Sequence, residues 1–198
     1  MVNGDYRMFI DNKKIFYQKN FLTEAELAYL DNVLINNKEK IDNLVSFNSE
    51  SDRTESTTQN RDILIYLQGE DPYHEIYESI NERAKQLIVK YFNNGIDDLF
   101  LSPMRNIHVL YPPFSLQEHS DNQEPETKYG VVVYLSSPED YTGGDLYYTK
   151  LDKRLRPERG SIVIHPASSE YSHTVEQVLT GIRLNISMFA KSGQLVLF

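Results

Sequence analysis

The sequence predicts an α+β, mostly β protein, with a sandwich or jelly roll in its second half and helices in front that buttress the outer face of a major sheet. Two observations predict it. From Arg105 onward the apolar runs are short, alternating and separated by Pro, Gly, Asn and Asp: Arg105 to Tyr111, Tyr129 to Leu135, Asp145 to Tyr148, Ser161 to Ile164 and Ile182 to Phe189. Before them lie two segments with helical periodicity. Closely spaced short strands are the pattern of sandwiches and jelly rolls.

The elements follow in order. A strand or hairpin is expected around Met8 to Gln18, with Asp11-Asn12 as its turn. A helix then begins at a T-x-x-E capping box of Thr23 and Glu26, stapled by Leu22 and Leu27 and continued by Leu30 and Leu34. The polar stretch 46–60 has almost nothing to bury and reads as a surface loop, either a lid or a plain connector. After a strand at Ile63 to Leu67, Asp71-Pro72 opens a long amphipathic helix. Its apolar positions run from Tyr73 to Tyr91, and Asn94-Gly95 stops it. Its aromatic stripe is expected to pack on a sheet rather than to hold a cofactor.

A length of 198 residues suits one domain, read as an N-terminal α/β support over 1–104 and a β core over 105–190. The formal charge of −9 disfavours a duplex nucleic-acid partner, because phosphate binding draws on clustered Lys and Arg. With no cysteine, any metal must be bound through nitrogen and oxygen. No signal-peptide pattern and no membrane-length apolar run is present, so a soluble, cytoplasmic protein with no membrane partner is expected.

His119-Ser120-Asp121 sets two iron-type ligands at i and i+2, which leave the same face of an extended chain. Such a triplet alone is weak. His173, about 50 residues further on, is able to complete a two-histidine, one-carboxylate face that leaves coordination positions open. His165 competes for that place; His173 is preferred for the Thr174-Val175 that follows it and its short path to Arg183. Arg183, Asn185 and Ser187 share the polar face of one strand, which either lines a cavity, with Arg183 clamping a carboxylate, or meets water at a sheet edge. His108 and His74 read as ordinary structural or solvated residues.

From about Asn106 to Ala190 the chain resembles the prolyl 4-hydroxylase-like branch of the 2-oxoglutarate/Fe(II) dioxygenases. The elements stand in order: His108-Val109-Leu110-Tyr111, His119-Ser120-Asp121, the strand ending Tyr134-Leu135, Gly143-Gly144-Asp145-Leu146, Pro157-Glu158-Arg159-Gly160-Ser161, His173-Thr174-Val175 and Gly181-Ile182-Arg183. The resemblance implies a double-stranded β-helix (jelly roll, cupin-like) and iron held by His119, Asp121 and His173. It further implies that Arg183 pairs with the distal carboxylate of 2-oxoglutarate, assisted by Tyr134. Tyr111 matches a tyrosine that reaches the co-substrate near the iron, although it precedes His119 by eight residues without the glycine usual there. Gly143-Gly144 is read as structural.

The implied reaction is hydroxylation of an unactivated carbon using Fe(II), 2-oxoglutarate and O2, with release of succinate and CO2 and with ascorbate as an optional reductant. The retained carboxylate of Asp121 points to a hydroxylase rather than a halogenase. The nearest substrate class by resemblance is a prolyl residue of a peptide or protein. Two rivals stand beside it: oxidation of a free amino acid, small metabolite or nucleobase, and a non-catalytic jelly-roll binding module.

Overall fold

Three antiparallel sheets, of eight, four and two strands, organise the computed structural model, which describes residues 7–10, 14–39, 41–42, 62–66, 71–92, 98–102 and 106–193. The expected loop 46–60, the turn at Asp11-Asn12 and the helix stop at Asn94-Gly95 lie outside the described residues.

The first elements are β1 (Arg7–Ile10), β2 (Ile15–Gln18), α1 (Glu24–Asn36), β3 (Asp62–Tyr66), α2 (Asp71–Phe92), β4 (Leu99–Leu101) and β5 (Asn106–Leu110). After them come β6 (Leu116–His119), β7 (Thr127–Tyr134), β8 (Tyr141–Gly143), β9 (Leu146–Tyr148), β10 (Lys153–Leu155), β11 (Ile162–Pro166), β12 (His173–Val175), β13 (Val178–Gly181) and β14 (Arg183–Ser192). β1 and β2 form the expected hairpin, with Ile10 opposite Ile15.

The major sheet runs β1-β2-β11-β7-β14-β5-β3, with β4 also pairing β14; the minor sheet runs β10-β9-β12-β6, and β8 pairs β13. From β5 to β14 the chain thus passes repeatedly between the major sheet (β5, β7, β11, β14) and the strands that face it, as in a double-stranded β-helix. Period-two alternation sorts their side chains. Ile107, Val109, Val131, Val133, Ile162, Ile164, Ile186 and Met188 enter the core shared with the helices, while residues of the opposite parity face the minor sheet.

The helices cover the outer face of the major sheet. At the start of α1, the Glu26 N–H donates to Thr23 Oγ1 at 3.2 Å and the Thr23 N–H donates to Glu26 Oε2 at 2.8 Å, so both halves of the capping box are made. Leu22 and Leu30 are buried in the main core and Leu27 packs against it. From α2, Tyr77, Ile80, Ala84 and Ile88 enter the same core, at positions one helical face apart. Arg83 joins the two helices by donating to Glu26 Oε1 at 2.6 Å and to the Phe21 carbonyl at 2.7 Å. Truncating Leu30 to alanine would cost about 2–5 kcal/mol, the usual range for a buried leucine. Among the described residues, no helix is long and apolar enough to cross a membrane.

Candidate metal and co-substrate site

Between the major and minor sheets lies a cavity of about 320 Å³, with His119, Asp121 and His173 on its wall together with Arg183 and Tyr134. Two neighbouring minor-sheet strands position the histidines: His119 ends β6, His173 begins β12, and the two are directly paired in register. Their ring centroids are 4.4 Å apart. Asp121 follows just beyond the end of β6 and brings Oδ1 to 3.5 Å from His119 Nε2 and 3.9 Å from His173 Nε2. One ligand atom from each of the three residues lies within 4.8 Å of the others.

The backbone sets the tautomer of both rings. His119 Nδ1 lies 2.9 Å from the Gln117 carbonyl, and His173 Nδ1 lies 3.1 Å from the Tyr171 carbonyl. A carbonyl only accepts, so each Nδ1 carries the proton and each Nε2 turns a bare lone pair inward. Two imidazole lone pairs and a carboxylate oxygen therefore converge on one point, an arrangement that is repulsive by itself and fits a bound cation. Burial, with the nearby His165, lowers the His173 pKa to about 3, so its ring is neutral near pH 7. Burial alone would raise the Asp121 pKa, but the hydrogen bond from His165 and the field of the three histidines outweigh it and leave it lowered. These are the protonation states a metal ligand set needs.

His165, the rival third ligand, stands behind Asp121 instead. It is buried on β11; its Nε2 lies 2.9 Å from Asp121 Oδ2, and its Nδ1 lies 2.8 Å from the Tyr148 hydroxyl. The three-atom group consists of His119, Asp121 and His173 without it.

Arg183, at the start of β14, is only 2% exposed. Its Nη1 donates to Asn185 Oδ1 at 2.7 Å, and its Nη2 is 3.5 Å from the Tyr134 hydroxyl. The guanidinium has no carboxylate partner among the described residues, and its buried Nε–H has no acceptor. An unneutralised buried cation with an unused donor in the wall of a cavity fits a carboxylate ligand. Burial pushes the Tyr134 pKa up to about 12 against the pull of Arg183, so the phenol keeps its proton and is available as a second donor. Gly144, at φ +68°, helps to seat the arginine: a Cβ there would lie 3.3 Å from Arg183 Cδ. Gly143 has the same φ, and a Cβ on it would fall 1.9 Å from the Gln177 carbonyl oxygen, which accounts for the glycine pair structurally.

Tyr111 departs from expectation. It is buried in the main core and does not line the cavity. The reason is parity: Ile107 and Val109, of the same odd register, face the helices, whereas His108 and Leu110 face the cavity. His108, expected to be an ordinary structural residue, is thus a wall residue. Sequence reasoning did not single out Tyr148 or Gly130, which carry no motif. The alternation of Tyr129 to Tyr134 does place Gly130 on the same face as Tyr134.

A family model described as the 2OG-Fe(II) oxygenase superfamily matches residues 106–191. A PKHD-type hydroxylase of Crocosphaera subtropica is 30% identical over 189 residues, covering 83% of this chain and 72% of that protein. Among solved structures, a prolyl-4-hydroxylase of Pseudomonas putida superposes with a TM-score of 0.65 at 15% identity, over 91% of this chain and 94% of that one. A viral collagen prolyl hydroxylase from Paramecium bursaria Chlorella virus-1, solved with 2OG, superposes with a TM-score of 0.62 at 17% identity, over 97% and 98%. Joined to a His-Asp-His cluster and a buried arginine in one cavity, these likenesses settle the class: the chain belongs to the 2OG-Fe(II) oxygenase superfamily, is similar to a PKHD-type hydroxylase, and is a dioxygenase dependent on Fe(II) and 2-oxoglutarate with the fold seen in prolyl hydroxylases.

Proposed function

We propose that the protein hydroxylates a prolyl residue of a peptide or protein, with release of succinate and CO2. His119, Asp121 and His173 hold the iron, and Arg183 with Tyr134 holds the distal carboxylate of 2-oxoglutarate. The observation that carries the assignment is the pairing, in one cavity, of three converging lone-pair ligands with a buried arginine that has no carboxylate partner among the described residues. The prolyl class is supported by the likeness to a PKHD-type hydroxylase and to the viral and bacterial prolyl hydroxylases.

When bound, iron(II) and 2-oxoglutarate would let dioxygen, the oxidant, functionalise an unactivated C–H bond, two of its four oxidising equivalents being used on the C–H bond and two on the conversion of 2-oxoglutarate to succinate and CO2. The chain's own residues bind, orient and exclude water. The two Nδ1–H contacts to the Gln117 and Tyr171 carbonyls hold the imidazoles in the ligating tautomer. Asn185 fixes one arm of the Arg183 guanidinium, leaving its other donors for an incoming carboxylate. Leu110, Phe114, Leu146 and Val175 add apolar wall to the cavity, and charge pairing beside such a wall is stronger than in bulk water.

The test is in two stages. Anaerobic addition of Fe(II) and 2-oxoglutarate should produce a visible metal-to-ligand charge-transfer band, absent in His173→Ala and needing far more co-substrate in Arg183→Ala. Succinate release is then measured with proline-containing peptides and, in parallel, with free L-proline. Stimulation by peptides alone supports the prolyl-peptide reading. Stimulation by free proline alone overturns it in favour of a small-molecule hydroxylase.

A further inference from the structure

A carboxylate facing a metal is able to bind through one oxygen or both, and binding through both would occupy a position that the co-substrate or dioxygen needs. In this protein the two oxygens are sorted. Oδ1 faces the Nε2 atoms of His119 and His173, at 3.5 and 3.9 Å, while Oδ2 is turned the other way and lies 2.9 Å from His165 Nε2.

The geometry points to His165 as a positioning residue that ties down Asp121 Oδ2 and so holds Asp121 as a one-oxygen ligand, with Tyr148 orienting His165. This inference rests on the metal-site reading above and adds a part to it. His165 is 1% exposed, and both of its ring nitrogens are engaged. A carboxylate oxygen accepts, so Nε2 carries the proton. In the neutral ring Nδ1 is then the acceptor and takes the proton of the Tyr148 hydroxyl at 2.8 Å. The chain Tyr148 O–H to His165 to Asp121 therefore has one consistent direction, and it selects the ring orientation as well as the tautomer.

Two further features show that the contact is built into the fold. The three participants come from different elements: Tyr148 from β9 of the minor sheet, His165 from β11 of the major sheet and Asp121 from the turn after β6. The link therefore crosses the sandwich at the metal site. It also passes over a residue without a side chain. A Cβ on Gly130 of β7 would sit 2.1 Å from Asp121 Oδ2 and 2.5 Å from His165 Nε2, in the space the hydrogen bond occupies.

The test uses Co(II) alone, whose visible d–d bands report coordination number and geometry, titrated into wild type, His165→Phe, His165→Gln, Tyr148→Phe and His173→Ala. Melting temperatures of the apo-proteins are measured beside them. The inference expects His165→Phe to bind Co(II) about 10- to 100-fold more weakly, the usual range for loss of an outer-shell partner, with an altered d–d band. His165→Gln, whose amide N–H still donates to Oδ2, should recover most of both, and Tyr148→Phe should fall between wild type and His165→Phe. A folded His165→Phe with wild-type affinity and band overturns the positioning role. If His165→Phe does not fold, Tyr148→Phe decides, and wild-type binding by it overturns the inference. Failure of wild type to bind Co(II), or full binding by His173→Ala, overturns the metal site itself and the inference with it.

Discussion

Arg183 and Asn185 are neighbours on the same face of β14, and the arginine Nη1 donates to the asparagine Oδ1 at 2.7 Å inside the cavity wall. The asparagine is itself held, since its Nδ2 donates to Ser187 Oγ at 2.9 Å. The wet face of this strand is thus a hydrogen-bonded row with the guanidinium at its end. Asn185→Ala should leave Arg183 charged but free to swing, raising the 2-oxoglutarate dissociation constant on the order of 10-fold, as expected for one lost charge-assisted hydrogen bond. Arg183→Ala should raise it further. Anaerobic titration followed by the charge-transfer band measures both, and Fe(II) affinity without co-substrate should be unchanged in Asn185→Ala.

Gly130→Ala should damage the metal site more than the fold. The added methyl group falls on Asp121 Oδ2 and His165 Nε2, so one of the two side chains has to move. Expected outcomes are Fe(II) binding weakened by about 10-fold or more and a melting temperature that changes little if the cavity admits the displaced side chain. Calorimetric metal titration beside thermal melts checks this.

Tyr111 should behave as a core residue. Tyr111→Ala is expected to cost about 3–5 kcal/mol of stability, in the range of large aromatic truncations, whereas Tyr111→Phe keeps the ring in its packing site. For Tyr111→Phe the 2-oxoglutarate dissociation constant should equal that of wild type. A rise of 10-fold would restore the co-substrate role that its burial away from the cavity argues against.

Acid should destabilise the apo-protein, and His173 supplies the sign. Its folded pKa, lowered by burial to about 3, lies below the ordinary 6.5, so between those values the unfolded chain binds the proton and the folded chain does not. Stability therefore falls as pH drops below about 6.5 and levels off near 3. From pH 7.5 to pH 5 the loss from this residue is roughly 2 kcal/mol. The lowered pKa of Asp121 acts in the same direction, but only below the ordinary carboxylate range. Urea denaturation of apo wild type and His173→Ala at the two pH values checks the claim, and the pH effect should shrink in the variant.

Local chemistry made much of this protein readable in its sequence. The Thr23/Glu26 capping box is satisfied within four residues, and alternation in Ile182 to Phe189 names the wet face of β14, because both depend on covalent neighbours and on strand period alone. The same period, continued from Asn106 through Leu110, puts Tyr111 on the helix side with Ile107 and Val109, although its place in the motif points toward the co-substrate. His119, Asp121, His173 and Arg183 are legible in their order along the chain, and the Thr174-Val175 after His173 with its short path to Arg183 favours it over His165 without giving the place of either ring. That placement belongs to tertiary structure: pairing of β12 with β6 puts His173 opposite His119, while β11, in the other sheet, delivers His165 to the far oxygen of Asp121. Contacts between residues 17 and 44 positions apart, such as Tyr148 to His165 and His165 to Asp121, arise from strand register across two sheets. No local propensity encodes them, because the energy that holds them comes from packing the two layers together.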